Sequence, residues 1–247
     1  MIGGSSCPES LIRAFGEGYG VNVIQGWGMT ETSPLVTVSI PNVAVAALSP
    51  DEQMRYKLKQ GRPLSGLDLK ITDDDGNRLP HDGQTPGRLK VKGPTIASGY
   101  FRGEGGDPLD AEGYFDTGDV STIDPLGYMH ITDRAKDIVK SGGEWISSIE
   151  IENIVLSHPQ VELAAVIGVV HPKWDERPIL LVKLKPDAGA AEPQAFRTFL
   201  DGKIARWWMP DDVLIVDHIP LGPTGKIDKK RIRTELVGYQ LPFEVTR

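Results

Sequence analysis

The sequence predicts an α+β protein in two parts, and three observations predict it. Between Gly61 and His130, short apolar stretches alternate with turns rich in aspartate, glycine and proline, the rhythm of an antiparallel sheet. After Asp133 the pattern changes to strands alternating with segments of helical spacing, as in a small separate α+β unit. Ahead of both, residues 21–28 read as a strand that runs into a glycine loop.

The chain opens on Met1-Ile2-Gly3-Gly4-Ser5-Ser6, a small-residue turn. Residues 8–15 suit a short helix, with Pro8 near the first turn, where its missing N–H costs nothing, and Glu9 close behind. Strands are expected at 67–71, 87–91 and 128–131. Asp73-Asp74-Asp75-Gly76-Asn77 and Asp124-Pro125-Leu126-Gly127 supply the hairpin turns. The region of about 61–132 is therefore expected to be barrel-like. Residues 146–156 carry apolar side chains at helical spacing, with Ser147 or Ser148 as the cap. Residues 161–170 and 179–184 read as buried strands, 193–205 as a second helix and 212–216 as a third strand. Charged residues interrupt the strand pattern at 132–137, which sets the expected units at 1–134 and 135–247.

A chain of 247 residues with 39% hydrophobic content can bury real cores. The net charge of -7 gives no global attraction for nucleic acid or membrane surfaces, and basic and aromatic residues do not interleave as in a nucleic-acid reader. The single Cys7 excludes an intrachain disulfide and a multi-cysteine metal site. No apolar run is long enough to span a bilayer, and residues 1–10 have no positive n-region, so a cytoplasmic location is expected. Two glycine-bearing lysine loops, Lys140-Ser141-Gly142-Gly143-Glu144-Trp145 and Gly222-Pro223-Thr224-Gly225-Lys226, point to nucleotide or phosphate chemistry.

Four motifs, in order, carry a resemblance. Trp27-Gly28-Met29-Thr30-Glu31, Tyr114-Phe115-Asp116-Thr117-Gly118-Asp119, Asp133-Arg134-Ala135-Lys136-Asp137 continuing to Gly142-Gly143-Glu144, and Pro223-Thr224-Gly225-Lys226-Ile227 resemble those of the adenylate-forming (AMP-dependent) acyl-CoA synthetases and ligases. The resemblance implies an incomplete sheet and small barrel, the C-terminal part of the large adenylate-forming domain, followed by a small mobile lid domain. It also implies a carboxylate attacking the α-phosphate of ATP to give an acyl-adenylate, then a coenzyme A thiol displacing AMP. The Gly142-Gly143-Glu144-Trp145 loop and the Trp207-Trp208-Met209-Pro210 cluster look most like fatty-acyl-CoA ligases; an aryl-acid CoA ligase is the alternative within the family.

The resemblance assigns roles to single residues. Gly28 and Thr30 fall among the nucleotide-binding residues, with the Thr30 hydroxyl donating to a phosphate oxygen. Glu31 would hold Mg²⁺, a hard ion that prefers oxygen ligands. Asp119 would accept the two ribose hydroxyls, and Arg134 would contact ribose or phosphate. Lys136 marks the hinge. Gly142, Gly143 and Trp145 would join the nucleotide pocket and line the pantetheine tunnel, and Gly3 and Gly4 would form a turn near the acyl and adenine pocket. Lys226 would bridge the carboxylate and the phosphates electrostatically.

Plainer readings stand beside these. Thr30 caps a turn, Glu31 faces solvent, Asp119 forms a turn, Arg134 pairs with Asp133 or Asp137, Lys136 is an exposed lysine and Trp145 is core. Lys229, Lys230, Arg231 and Arg233 read as a solvated face. The Trp207 cluster reads as core, His171 and His218 as structural or exposed, and Cys7 as unactivated. Arg88 stands where the family usually has glutamate, which is expected to alter a structural pair.

The resemblance covers only the later half of a family member. The family's Ser/Thr/Gly-rich loop around the β- and γ-phosphates has no counterpart before Thr30. The chain is therefore expected to be part of an acid–thiol ligase, with little or no ligase activity alone. The competing class is a non-catalytic module that binds AMP weakly or docks on a partner, and a homodimer is left open.

Overall fold

The computed structural model describes residues 1–4, 7–223 and 225–242. Ser5 and Ser6 of the expected opening turn, and Thr224 of the lysine loop, lie outside the described residues. Two units, Met1–Ala135 and Lys136–Arg247, each hold their own cores.

The first unit begins with β1 (Ile2–Gly3), which pairs in parallel with β2 (Gln25–Gly28). Between them lies α1 (Glu9–Tyr19). It runs four residues past the expected end at Phe15, through Gly16 and Gly18, and stops at Gly20, whose positive φ of 65° lets its amide and that of Val21 satisfy the last carbonyls. Ile12, Cys7 and Val23 form a small core with Ile2, Met54 and Leu58. The expected strand at 21–28 starts only at Gln25, the residue that Ile2 pairs with. β3 (Leu35–Val38) and β4 (Arg62–Pro63) extend this sheet antiparallel. The short α2 (Val43–Ala46) and α3 (Pro50–Lys57) connect them. Ser49 and Glu52 cap α3 reciprocally, a signal legible as Ser-Pro-Asp-Glu.

A second sheet follows the order β5 (Asp68–Thr72), β6 (Gly87–Lys92), β7 (Phe115–Ile123), β8 (Met129–Arg134), every pair antiparallel. Its strands bury Leu69, Ile71, Leu89, Val91, Phe115, Ile123 and Met129 against Val36. A buried aliphatic or aromatic side chain contributes about 1.5–3 kcal/mol. Closure into a barrel is not seen among the described residues. The outer edge of β5 is taken by a bridge from Thr72 to Arg78 and that of β8 by a bridge from Met129 to Gly61, so the end strands meet other segments and not each other. Asp124 makes the expected tight hairpin between β7 and β8: its carboxylate accepts from the amides of Leu126 and Tyr128, and Gly127 takes a φ of 81°. The Asp73 turn is equally local, but its return leg is the single bridge at Arg78 and not β6.

The second unit is a five-stranded sheet ordered β10 (Glu144–Ile146), β9 (Val139–Ser141), β12 (Asp175–Leu184), β11 (Val161–His171), with β13 (Asp212–Ile215) parallel to β12. Both faces are covered. Ala164, Val166, Leu180 and Val182 face α4 (Ser148–Leu156) and α5 (Pro193–Leu200). Ala165, Ile167, Ile179 and Leu181 face Ile219, Leu241 and Ile232 of α6 (Lys229–Glu235). That two-sided burial is why the strands read as continuous apolar runs. Ser147 is the cap of α4, accepting the Glu150 amide at 3.1 Å. The expected helix at 193–205 ends at Leu200, because Asp201 leaves the helical region and Gly202 takes a φ of 72°; a 3₁₀ turn, Arg206–Trp208, follows.

Candidate functional site

In the first unit, Gly28 closes β2 where the chain turns back on itself. A Cβ there would lie 1.7 Å from the Pro34 carbonyl oxygen, so the backbone packing alone demands glycine. Thr30 and Glu31 follow in a single 3₁₀ turn, Thr30–Thr32. Its anchor is neither of them but buried Thr32, whose hydroxyl accepts from the Met29 amide at 2.9 Å and bonds the Pro34 carbonyl at 2.6 Å. Thr30 is exposed and Glu31 half-buried. The phenol of Tyr100 donates to Glu31 Oε1 at 3.1 Å, and burial, followed by the nearby carboxylate, pushes that phenol's pKa up. The Glu31 carbonyl accepts from the Ala97 amide at 2.8 Å.

Asp119 lies inside β7 and not in a loop as its Gly-Asp context suggested. Gly118, with a φ of 70°, bulges the strand, and Asp119 faces Arg134 across the ladder to β8. Asp119 is buried, with 5% of its side chain exposed. Its Oδ1 receives the Arg134 guanidinium at 2.8 Å and its Oδ2 the Trp27 indole N–H at 3.1 Å. The anticipated partner of Arg134, Asp133, is buried and accepts the Arg134 amide, while Asp137 pairs with Arg233 at 2.9 Å. Trp27 and Tyr100 were not singled out from the sequence. Trp27 stands in a quoted motif, but its partner is 92 residues away, and no local pattern announces Tyr100.

Gly3 and Gly4 belong to β1 and the residue after it; a Cβ on Gly3 would crowd the Gly26 carbonyl at 2.8 Å. The arginine at 88 pairs with Asp116 across β6 and β7, with contacts of 3.0 and 2.8 Å, so the charge reversal has a structural partner.

The second unit carries the remaining residues. Lys136 is exposed in the turn before β9. Gly142 and Gly143 are the two-residue turn of the β9–β10 hairpin, with φ of 60° and 86°, as a type I′ connection requires. A Cβ on Gly142 would stand 2.8 Å from the Trp174 ring, whereas Gly143 has open space around it. Trp145 is half-buried on β10, with the Lys140 ammonium 5.9 Å from its ring centre. Arg177 ties this hairpin down: it bonds Ser141 Oγ at 3.2 Å, the Trp207 carbonyl at 2.9 Å and the Asp211 carboxylate at 2.6 Å. In the Trp207 cluster, Trp208 and Met209 pack on the core, and Trp207 is 43% exposed.

Lys226 is exposed on a small hairpin. Leu221 and Ile227 bridge its stem, the Gly222 amide donates to the Lys226 carbonyl at 2.7 Å, and Gly225 takes a φ of 78° at the tip. The basic run beyond it is not one solvated face. Lys229 is buried, because its side chain reaches two residues of α4, with Nζ 2.7 Å from Glu152 Oε1 and 2.5 Å from Ser148 Oγ. Lys230 is exposed, Arg231 pairs with Glu235 and Arg233 with Asp137. His171 accepts from the amides of Lys173 and Trp174, His218 is exposed, and burial raises the pKa of the Cys7 thiol.

Chemically, the first unit offers a buried carboxylate flanked by a guanidinium and an indole and, a few residues along the chain from that indole, an exposed hydroxyl and a carboxylate with one engaged oxygen. Among the described residues Glu31 Oε2 makes no hydrogen bond, and no group of three metal-ligating side chains converges. That donor set suits Mg²⁺, which keeps most of its waters and takes one or two carboxylates with the phosphates of a substrate. No helix among the described residues is long and apolar enough to cross a membrane.

Comparison with known proteins gives a consistent result. Residues 1–101 match the AMP-binding enzyme family, and residues 150–226 match the C-terminal domain of the same enzymes. The chain is 52% identical to the 3-methylmercaptopropionyl-CoA ligase of Ruegeria lacuscaerulensis over 95% of its own length and 43% of the relative's. It is 48% identical to the medium-chain-fatty-acid–CoA ligase of Ectopseudomonas oleovorans over 94% of its length and 42% of the relative's. ATP-bound MatB from Rhodopseudomonas palustris superposes with a TM-score of 0.79 at 30% identity, over 95% of this chain and 44% of that one. The chain thus spans under half the length of the relatives it matches.

Proposed function

The chain belongs to the AMP-binding enzyme family, and from that premise we propose that the whole protein activates a carboxylic acid with ATP and passes the acyl group to coenzyme A. A carboxylate oxygen attacks the α-phosphorus, the new P–O bond replaces the bond to pyrophosphate, and an acyl-adenylate results. The thiol sulfur then attacks the acyl carbon and AMP leaves. We take the acid to be aliphatic, a reading supported by similarity to ligases named for 3-methylmercaptopropionyl and medium-chain fatty acyl groups.

One observation carries the proposal: the buried Asp119 carboxylate, gripped on one oxygen by Arg134 and on the other by Trp27. Such a grip holds the carboxylate plane in one orientation before a ligand arrives, and two acceptor oxygens match the paired hydroxyls of ribose. Arg134 is half-exposed, so its remaining N–H groups serve the ribose or a phosphate. Thr30 donates to a phosphate oxygen. Glu31, oriented through Tyr100, is the residue for Mg²⁺. When bound, that ion supplies charge neutralisation on the phosphates. Lys226 contributes a positive charge to the first half-reaction from a hairpin whose tip leaves its ammonium in solvent. Gly142, Gly143 and Trp145 serve the thioester step, and Lys136 is the hinge.

ATP–pyrophosphate exchange with a panel of aliphatic and aromatic acids, on the protein that carries this chain, tests the reading. Exchange with aliphatic acids is expected. Lys226→Ala is expected to depress it on the order of 100-fold or more and to slow thioester formation from supplied acyl-adenylate far less. Equal losses in both assays would remove Lys226 from the first half-reaction, and no exchange with any acid would sink the function.

A further inference from the structure

We propose that Lys229 is a positioning residue for Lys226, an inference that rests on Lys226 serving the first half-reaction. Three observations lead to it. Among the described residues of the hairpin tip, Gly225 and Lys226 are exposed, and nothing lies within 4 Å of a Cβ placed on Gly225. The direction of the tip is therefore set by its stem. The two arms of the stem are joined by backbone bonds, Gly222 to Lys226 at 2.7 Å and Asp228 to Pro220 at 2.9 Å, and the N-terminal arm leaves the apolar core at Ile219. On the C-terminal side the chain enters α6, capped by Asp228, and its first residue is Lys229.

Three residues span at most about 10 Å of chain, so Lys229 is the first buried charge beyond the working ammonium, Asp228 before it being half-buried and committed to the cap of α6. It is 8% exposed and its Nζ reaches Glu152 Oε1 at 2.7 Å and Ser148 Oγ at 2.5 Å. Ser148 and Glu152 stand one turn apart on α4, on the same face. Glu152 Oε1 also accepts the Val166 amide of β11 at 2.7 Å. One lysine thus bolts the base of the hairpin to a helix and, through Glu152, to β11 at the end of the sheet order. A buried ion pair is poor evidence of stability but fixes geometry well, since its members have few alternative partners. Ile227 and Ile232 pack in the apolar core beside it, which is non-directional and does not set the angle of the stem.

The test compares four variants of the full-length protein. Lys229→Met with Glu152→Gln keeps the volume, orphans no charge and leaves an amide oxygen for Val166. ATP–pyrophosphate exchange is expected to fall on the order of tenfold or more in kcat, from misplacement of one group, with KM for ATP and thiolysis of supplied acyl-adenylate within about twofold. In the Lys226→Ala background the same pair of changes is expected to cause no further loss. Lys229→Arg, which can keep the pair, is expected to retain most of the exchange. Unchanged exchange, equal losses in both half-reactions, or losses that add to those of Lys226→Ala would overturn the inference. If the paired variant does not fold, Ser148→Ala decides: a smaller fall confined to exchange supports positioning, and no change refutes it. A Lys226→Ala protein with normal exchange would instead remove the reading of Lys226 itself, and the inference with it.

Discussion

Asp119 and Arg134 face each other across one ladder, yet their burial differs sharply, with 5% and 47% of the side chain exposed. The consequences of removing each should differ in the same way. Asp119→Ala leaves the Trp27 N–H without this acceptor and is expected to cost about 1–3 kcal/mol. Arg134→Ala removes a half-exposed guanidinium whose place beside the Asp119 carboxylate water can take, and is expected to cost less, about 1 kcal/mol. Urea unfolding of the two variants checks this, and equal midpoints would contradict it. Lys229 lies at the other extreme. Lys229→Ala strands a buried Glu152 and is expected to cost about 3–5 kcal/mol, measurable in the same way. His158 supplies a pH dependence. Its ring packs edge-on against Phe196 and Phe199, and burial, then Lys203 and Lys185, lower its pKa. The unfolded chain then binds the proton more readily than the folded one. Stability from the neutral ring is complete above the ordinary histidine value of about 6.5 and is lost as pH falls through that value toward the lowered one. Replacing His158 with Gln should flatten the fall of the melting temperature between neutral and mildly acidic pH.

At the level of elements, the glycine pair of the β9–β10 hairpin serves geometry first. Both residues take positive φ, but only Gly142 also abuts a ring, that of Trp174. Gly142→Ala is expected to cost at least about 1–2 kcal/mol more than Gly143→Ala, read by chemical unfolding; the reverse order would refute the close approach of Gly142 to the Trp174 ring. The Ser147 cap is a second element-level feature, and Ser147→Ala should cost about 1 kcal/mol. Some elements were legible because their signals are local. The cap of α4, the Asp124 hairpin and the apolar runs of β11 and β12 all follow from a few neighbouring residues. The end of α1 was not, since a left-handed cap at Gly20 outweighed two interior glycines. The barrel expected from the strand rhythm is not closed among the described residues, because closure depends on which segments reach the sheet edges, and Gly61 and Arg78 reach them first.

Over the whole molecule, the two cores that flank the β11–β12 sheet draw every side chain from beyond residue 136. Residues 136–247 produced alone are therefore expected to unfold in one cooperative transition; a broad, non-cooperative melt would show that this unit needs the rest of the chain. The sequence by itself determined the ordered motifs, the switch from turn-linked strands to alternating helices and strands, and hence the family, since each rests on residue type and spacing. Only the tertiary structure decided which charges are buried and what they touch. It put Asp119 inside a strand between Trp27 and Arg134, gave Glu31 to Tyr100, and drew Lys229 out of a basic run into a buried pair with Glu152. Apart from Arg134, which faces Asp119 across one hairpin, these partners lie tens of residues apart along the chain, and a pairing of that kind is fixed by how sheets and helices pack, which no local pattern of side chains encodes.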